Sequence, residues 1–137
     1  MSKDNDVLYQ CELNPDVQVM VVFPESERYE TVQPYFEEYG HAFTMIEEKM
    51  VVIDGKVVDE PWFTQDHLDV IEAHEVGHIV MDESGDHYRD ERQADQVGYR
   101  MLLEHGKDSA AELHRQEYYA RYGTYPDGEQ TQGVKML

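Results

Sequence analysis

Residues 64–81 read TQDHLDVIEAHEVGHIVM, and the architecture turns on this stretch. It holds neither proline nor a turn dipeptide, and Thr64 is a residue type whose side-chain oxygen caps helices. One helix is therefore expected from Gln65 to about Met81. Within it, His74-Glu75-Val76-Gly77-His78 is an HExxH motif that sets two imidazoles one turn apart, spaced to chelate a single tetrahedral metal. At about 100° per residue the two histidines differ by about 40°, while Glu75 is turned about 100° from His74. Its carboxylate then flanks the metal, placed to take a proton from water without acting as a ligand. Random placement of seven His and the chain's Glu gives roughly 0.04 such motifs, so coincidence is disfavoured.

Ala73, Val76, Ile79, Val80 and Met81 make this helix apolar around most of its circumference, so both imidazoles are expected to be buried and to need partners. The competing reading is a pair of core histidines satisfied by ordinary hydrogen bonds. A catalytic zinc has three protein ligands and water, so a third ligand is sought downstream, where His87, Glu91 and Asp95 are the candidates. A second helix fits about Tyr88 to His105, stopped by Gly106. On it Glu91, Ala94, Asp95, Gly98 and Leu102 share one face, and acids on a buried face require compensation such as a metal. The break at Ser84-Gly85-Asp86 lets this helix fold back, and Gly77, Ala94 and Gly98 permit a close approach. Glu91 then reaches the metal. Asp95, one turn further on, can accept the remaining ring N–H of His74, although a solvated helix acid is the competing reading. The Glu-x-x-x-Asp spacing alone is weak, with roughly 0.24 occurrences expected by chance.

Upstream, Val17 to Phe23 (VQVMVVF) reads as a buried strand between Asn14-Pro15 and Pro24. A short helix capped by Ser26 or Thr31 runs to Tyr39, ended by Gly40. His41 to Glu47 and Met50 to Ile53 read as extended, and Asp54-Gly55 before Val57-Val58 signals a type I′ hairpin, giving a small antiparallel sheet. A third helix fits Ser109 to Tyr122. Residues 1–123 are expected to form one domain and Thr124 to Leu137 a loosely held tail.

At 137 residues with 40% hydrophobic side chains, ten Tyr, four Phe and one Trp, the chain can bury one core, and general disorder is excluded. The net charge of −19 repels phosphates and anionic lipids, which argues against direct nucleic-acid or membrane binding. The lone Cys11 forms no internal disulfide, and no apolar run approaches the length of a membrane span. The opening Met1-Ser2-Lys3-Asp4-Asn5-Asp6 lacks the apolar core of a signal peptide, so a cytoplasmic protein is expected.

His74, Glu75, His78, Glu91 and Asp95 together resemble the zincin metallopeptidases of gluzincin type, in which HExxH is followed on a second helix by Glu-x-x-x-Asp. The string Glu91-Arg92-Gln93-Ala94-Asp95 is most similar to the small ImmA/IrrE-type neutral zinc metallopeptidases, over about Gln65 to His105. The resemblance implies a minimal zincin-like α+β fold: a small, twisted, mainly antiparallel sheet packed on the motif helix, with two further C-terminal helices. It also implies zinc held by His74, His78 and Glu91. The metzincin pattern would need Gly at Met81 and His at Ser84, which demotes His87.

The expected activity is hydrolysis of a peptide or protein substrate, with Glu75 as general base for a zinc-activated water. Phe43 to Ile53 is the candidate edge for pairing an extended peptide; an ordinary sheet strand is the equal alternative. His105, His114, Tyr88, Tyr99 and Tyr118 all remain open as oxyanion-stabilising groups. His67, one heptad before His74, either borders the cleft or is simply a satisfied or exposed side chain. The competing function is a non-catalytic, metal-stabilised acidic protein that docks a cationic partner in a binding or regulatory role.

Overall fold

The computed structural model describes residues 6–85 and 89–127. These form, in chain order, β1 (Val7–Gln10), β2 (Gln18–Val22), α1 (Tyr29–Tyr39), β3 (Ala42–Met45), β4 (Met50–Asp54), α2 (Gly55–Val58), α3 (Gln65–Glu83), α4 (Glu91–Glu104) and α5 (Asp108–Tyr122). The class is α+β with a mixed four-stranded sheet in the order β1-β2-β4-β3. β1 and β3 run antiparallel to their neighbours, whereas β2 and β4 are parallel. A parallel pair needs a crossover, and α1 with β3 supplies it.

The continuous apolar run of β2 follows from burial on both faces of the sheet. Val19, Val21, Val51 and Ile53 face the main core with Val70, Ala73, Val76 and Ile79 of α3. The alternate residues Val22 and Val52 pack with Phe36 of α1 on the opposite face. The sheet is thus a middle layer, with α1 on one side and α3 on the other.

Three expectations are corrected. Asp54-Gly55 makes no hairpin, because both sides of β4 are already occupied by β2 and β3. Instead the Asp54 side chain accepts a hydrogen bond from the Lys56 N–H and caps α2. Gly55 is required there for space, since a Cβ would lie 2.4 Å from Cδ1 of Phe23. The stretch Phe43 to Ile53 is not one edge: β3 is the edge strand, a turn at 46–49 follows, and β4 lies inside the sheet. Finally, α1 begins at Tyr29 without a side-chain cap. The Ser26 hydroxyl instead accepts from the Arg28 N–H and donates to Asp6.

α3 extends two residues beyond the expected end. Thr64 and His67 cap it reciprocally, each side chain bonding the other's backbone N–H. α4 starts later than expected, at Glu91, because the Asp90 carboxylate accepts from the Gln93 N–H and fixes the first turn there. Tyr88 and His87 lie outside the described residues, as do residues 128–137 of the expected tail. The tail's first residues pack on α5: Tyr125 stacks on Tyr119 at 4.6 Å, and the Arg115 guanidinium lies 3.8 Å from the Tyr125 ring centre. No helix among the described residues is long and apolar enough to cross a membrane.

Two glycines set the separation of α3 and α4. A Cβ at Gly77 would lie 2.6 Å from the Ala94 carbonyl oxygen, and one at Gly98 2.8 Å from the Ala73 carbonyl. Both obstacles are backbone and cannot rotate away. Gly98→Ala would gain about 1 kcal/mol of helix propensity, but overpacking costs about 1–3 kcal/mol. The clash wins, so urea unfolding should show a lower midpoint for Gly98→Ala as α4 is pushed off α3.

Candidate metal centre

α3 and α4 lie side by side and bring together residues separated by the turn between them. Nε2 of His74, Nε2 of His78 and Oε1 of Glu91 converge: the two nitrogens are 3.2 Å apart, and the oxygen is 2.8 Å from His74 and 3.3 Å from His78. Ligands of a tetrahedral zinc at about 2.0–2.1 Å stand about 3.3 Å apart, so the spacing fits one such ion. The donor set also fits, with two imidazoles and one carboxylate. His78 is buried, His74 half-buried and Glu91 exposed, which leaves the cluster open on the α4 side. Among the described residues it is the one group of His, Cys, Asp or Glu side chains close enough to hold a metal.

Asp95 is 2% exposed and lies where its helix position requires, with Oδ1 2.6 Å from Nδ1 of His74. A carboxylate accepts only, so Nδ1 carries the proton and Nε2 is directed at the cluster. Burial opposes a charge on His74, yet the hydrogen bonds to Asp95 and Glu91 outweigh it and hold the imidazole pKa up to about 10. Burial likewise works against ionised Asp95, but the bond to His74 with nearby His114 and Arg121 keeps its carboxyl below the usual range. The His74 bond has the same effect on Glu91. A donor pair that binds a proton this tightly at Nε2 has the electrostatics to hold a cation there.

The opposite side of Asp95 is equally engaged. Arg121 Nη1 donates to its Oδ2 at 3.1 Å, Tyr122 Oη donates to the same oxygen at 3.2 Å, and His114 Nε2 donates to its backbone carbonyl at 2.9 Å. If a metal is held at this cluster, Asp95→Asn should weaken its binding by about 10–100-fold, the cost of removing a carboxylate that supports a ligating imidazole. Competition against a chromophoric chelator measures this, and an unchanged affinity would show that Asp95 does not support His74.

Comparison of the chain with protein-family models, curated proteins and solved structures finds no match.

A cleft of about 470 Å³ runs past the cluster, lined by His74, Glu75, Glu91 and Asp95. Its floor and walls include Val57, Val70 and Ile71, and its rim carries Tyr39, Trp62 and Phe63. His67 lines it as well while capping α3, so both sequence readings of that residue apply. Glu75 sits beside His74 without joining the ligand cluster, as the helical angle requires.

Of the oxyanion candidates, His114 alone lines this cleft among the described residues. Tyr118 is 1% exposed and its hydroxyl accepts from Arg92 and Gln96. Tyr99 is buried against His114, and His105 bonds the Met101 carbonyl. Arg121 and Tyr122, which from sequence belong only to a Tyr-rich stretch read as a partner surface or the packed face of the third helix, do line the cleft. Their signal was faint: they close α5, and only the packing of α5 on α4 brings them near Asp95.

Proposed function

We propose that this protein is a zinc-dependent peptidase of minimal zincin-like type, with His74, His78 and Glu91 as the metal ligands. The observation that supports the reading best is the convergence of those three ligand atoms, at tetrahedral spacing, beside an acid that is not one of them and on an open cleft. A structural zinc is normally closed by four protein ligands and has no use for a flanking base.

Zinc at this site would supply Lewis acidity and lower the pKa of water to about 7. Glu75 takes the proton from the attacking water and passes it to the leaving amine. Asp95 keeps His74 in the tautomer that directs Nε2 at the site. Tyr122 has its one O–H committed to Asp95, whereas Arg121 keeps further N–H donors along the cleft wall for substrate carbonyls or the developing oxyanion. An extended peptide would add along β3, the sheet edge nearest α3, where main-chain pairing leaves its side chains readable by the cleft.

The net charge of −19 favours a second reading, a metal-stabilised binding protein that docks a cationic partner. One experiment separates the two. Metal content is measured, and hydrolysis is followed over a diverse peptide library before chelation, after chelation and after zinc is returned. The peptidase reading expects turnover that disappears and recovers. Stoichiometric metal without turnover on any peptide would overturn it and favour the binding protein.

A further inference from the structure

The edge strand β3 contacts the general base directly through one side chain. The Thr44 hydroxyl donates to Oε1 of Glu75 and lies 3.2 Å from the Glu75 backbone carbonyl. This hydrogen bond joins the sheet edge to the carboxylate. We propose that Thr44 is the positioning residue for Glu75, holding the carboxylate in its working orientation from the strand along which a peptide would pair. This rests on the peptidase reading above and extends it to a residue outside the motif.

Register places Thr44 for that role. The His41 carbonyl accepts from the Asp54 N–H at 2.9 Å, and Ala42 stands opposite Ile53. In an antiparallel ladder, bonded pairs alternate with non-bonded ones. Phe43 and Met45 thus repeat the bonding of His41 toward β4, and the N–H and C=O groups of Ala42 and Thr44 are directed to the outer edge. Side chains alternate with the same period. Phe43 packs toward Phe36 of α1, while Ala42 lines the cleft and Thr44 reaches α3. Thr44 therefore presents its main chain to the edge where an extended peptide would lie and its hydroxyl to the base.

A glutamate side chain has three rotatable bonds and is long enough to sweep well away from a neighbouring site. A hydrogen bond to its charged form removes much of that freedom, and distances within about 0.5 Å of the productive geometry matter for proton transfer. The contact is made from a rigid element, since β3 is paired to β4 along its length.

The test uses the zinc-loaded, full-length protein. Thr44→Val is close in shape and suits a strand, so folding should be retained, with the thermal midpoint as control. Its kcat should fall about tenfold with KM changed by less than about twofold, the pattern of a group that acts on the chemical step. Thr44→Ser, which restores the hydroxyl, should recover most of the loss. Independently of turnover, the side-chain carboxyl carbon signal of Glu75, assigned by its absence in Glu75→Gln, should move toward that of a solvated glutamate in Thr44→Val and stay in place in Thr44→Ser. An unmoved signal in Thr44→Val, or a serine variant as displaced as the valine one, overturns the proposal. If wild type cleaves no peptide the peptidase reading has failed, and the carboxyl signal still decides whether Thr44 holds Glu75.

Discussion

Glu75→Gln should leave zinc bound and lower kcat by about 10²–10⁴-fold, the usual range for loss of a general base. The amide is nearly isosteric and its oxygen can still accept from Thr44, so the local packing is conserved. What it lacks is a lone pair basic enough to hold a proton. Because Glu75 lies outside the cluster of ligand atoms, metal affinity should change little, and this separates loss of chemistry from loss of the ion. The contrast variant is Glu91→Ala, which removes a ligand and should lose metal and activity together. Metal analysis and single-turnover kinetics on both proteins provide the check. A Glu75→Gln protein with wild-type turnover and bound zinc would show that another group moves the proton, and the mechanism proposed for this site would be wrong.

The parts of this site that were legible from sequence are those fixed by helical period. His74, Glu75 and His78 follow from one helix, and the shared face of Glu91 and Asp95 follows from a second. Their meeting was legible too, because Gly77, Ala94 and Gly98 are small where two backbones must approach. Contacts made between distant elements left no such trace. Thr44 is an unremarkable strand residue until β3 is placed over α3, and Arg121 and Tyr122 gain their position only from the packing of α5. β1 was missed for a different reason: its residues are mostly exposed, so Val7-Leu8-Tyr9-Gln10 has no buried alternation to read. The Asp54-Gly55 pair misled because the same dipeptide suits a hairpin and a helix start, and the choice was made by β2, a strand from elsewhere in the chain pairing with β4. The parallel β2–β4 pairing was likewise invisible, since parallel and antiparallel interior strands carry the same apolar run.

Without metal, the protein should lose stability as pH rises from about 6.5 toward 10, and zinc should remove that part of the dependence. The cause is His74, whose pKa stands near 10 in the fold against 6.5 as an ordinary imidazole. Below 6.5 the folded and unfolded chains both carry the proton, and its bonds to Asp95 and Glu91 contribute fully. Between the two values the folded state holds a proton that the unfolded state has lost, so stability falls by up to about 1.4 kcal/mol per pH unit. Near 10 the folded state gives up the proton and the contribution ends. With zinc held by Nε2 in place of that proton, Nδ1–H would still donate to Asp95 and His74 would no longer titrate in this window. Two measurements follow from one exchange. Urea unfolding at pH 6, 8 and 9.5 should diverge between chelated and zinc-loaded protein, the gap widening with pH from a base of about 4 kcal/mol where free zinc is 1,000 times its Kd. In weakly buffered solution near pH 8, zinc binding should also release a proton from His74, and Glu91→Ala, lacking both the ligand and one of the two bonds that hold that proton, should show neither effect at the same zinc concentration. Parallel stability curves with and without zinc would mean that the ion does not bind where the proton does, and His74 would have to be dropped from the ligand set.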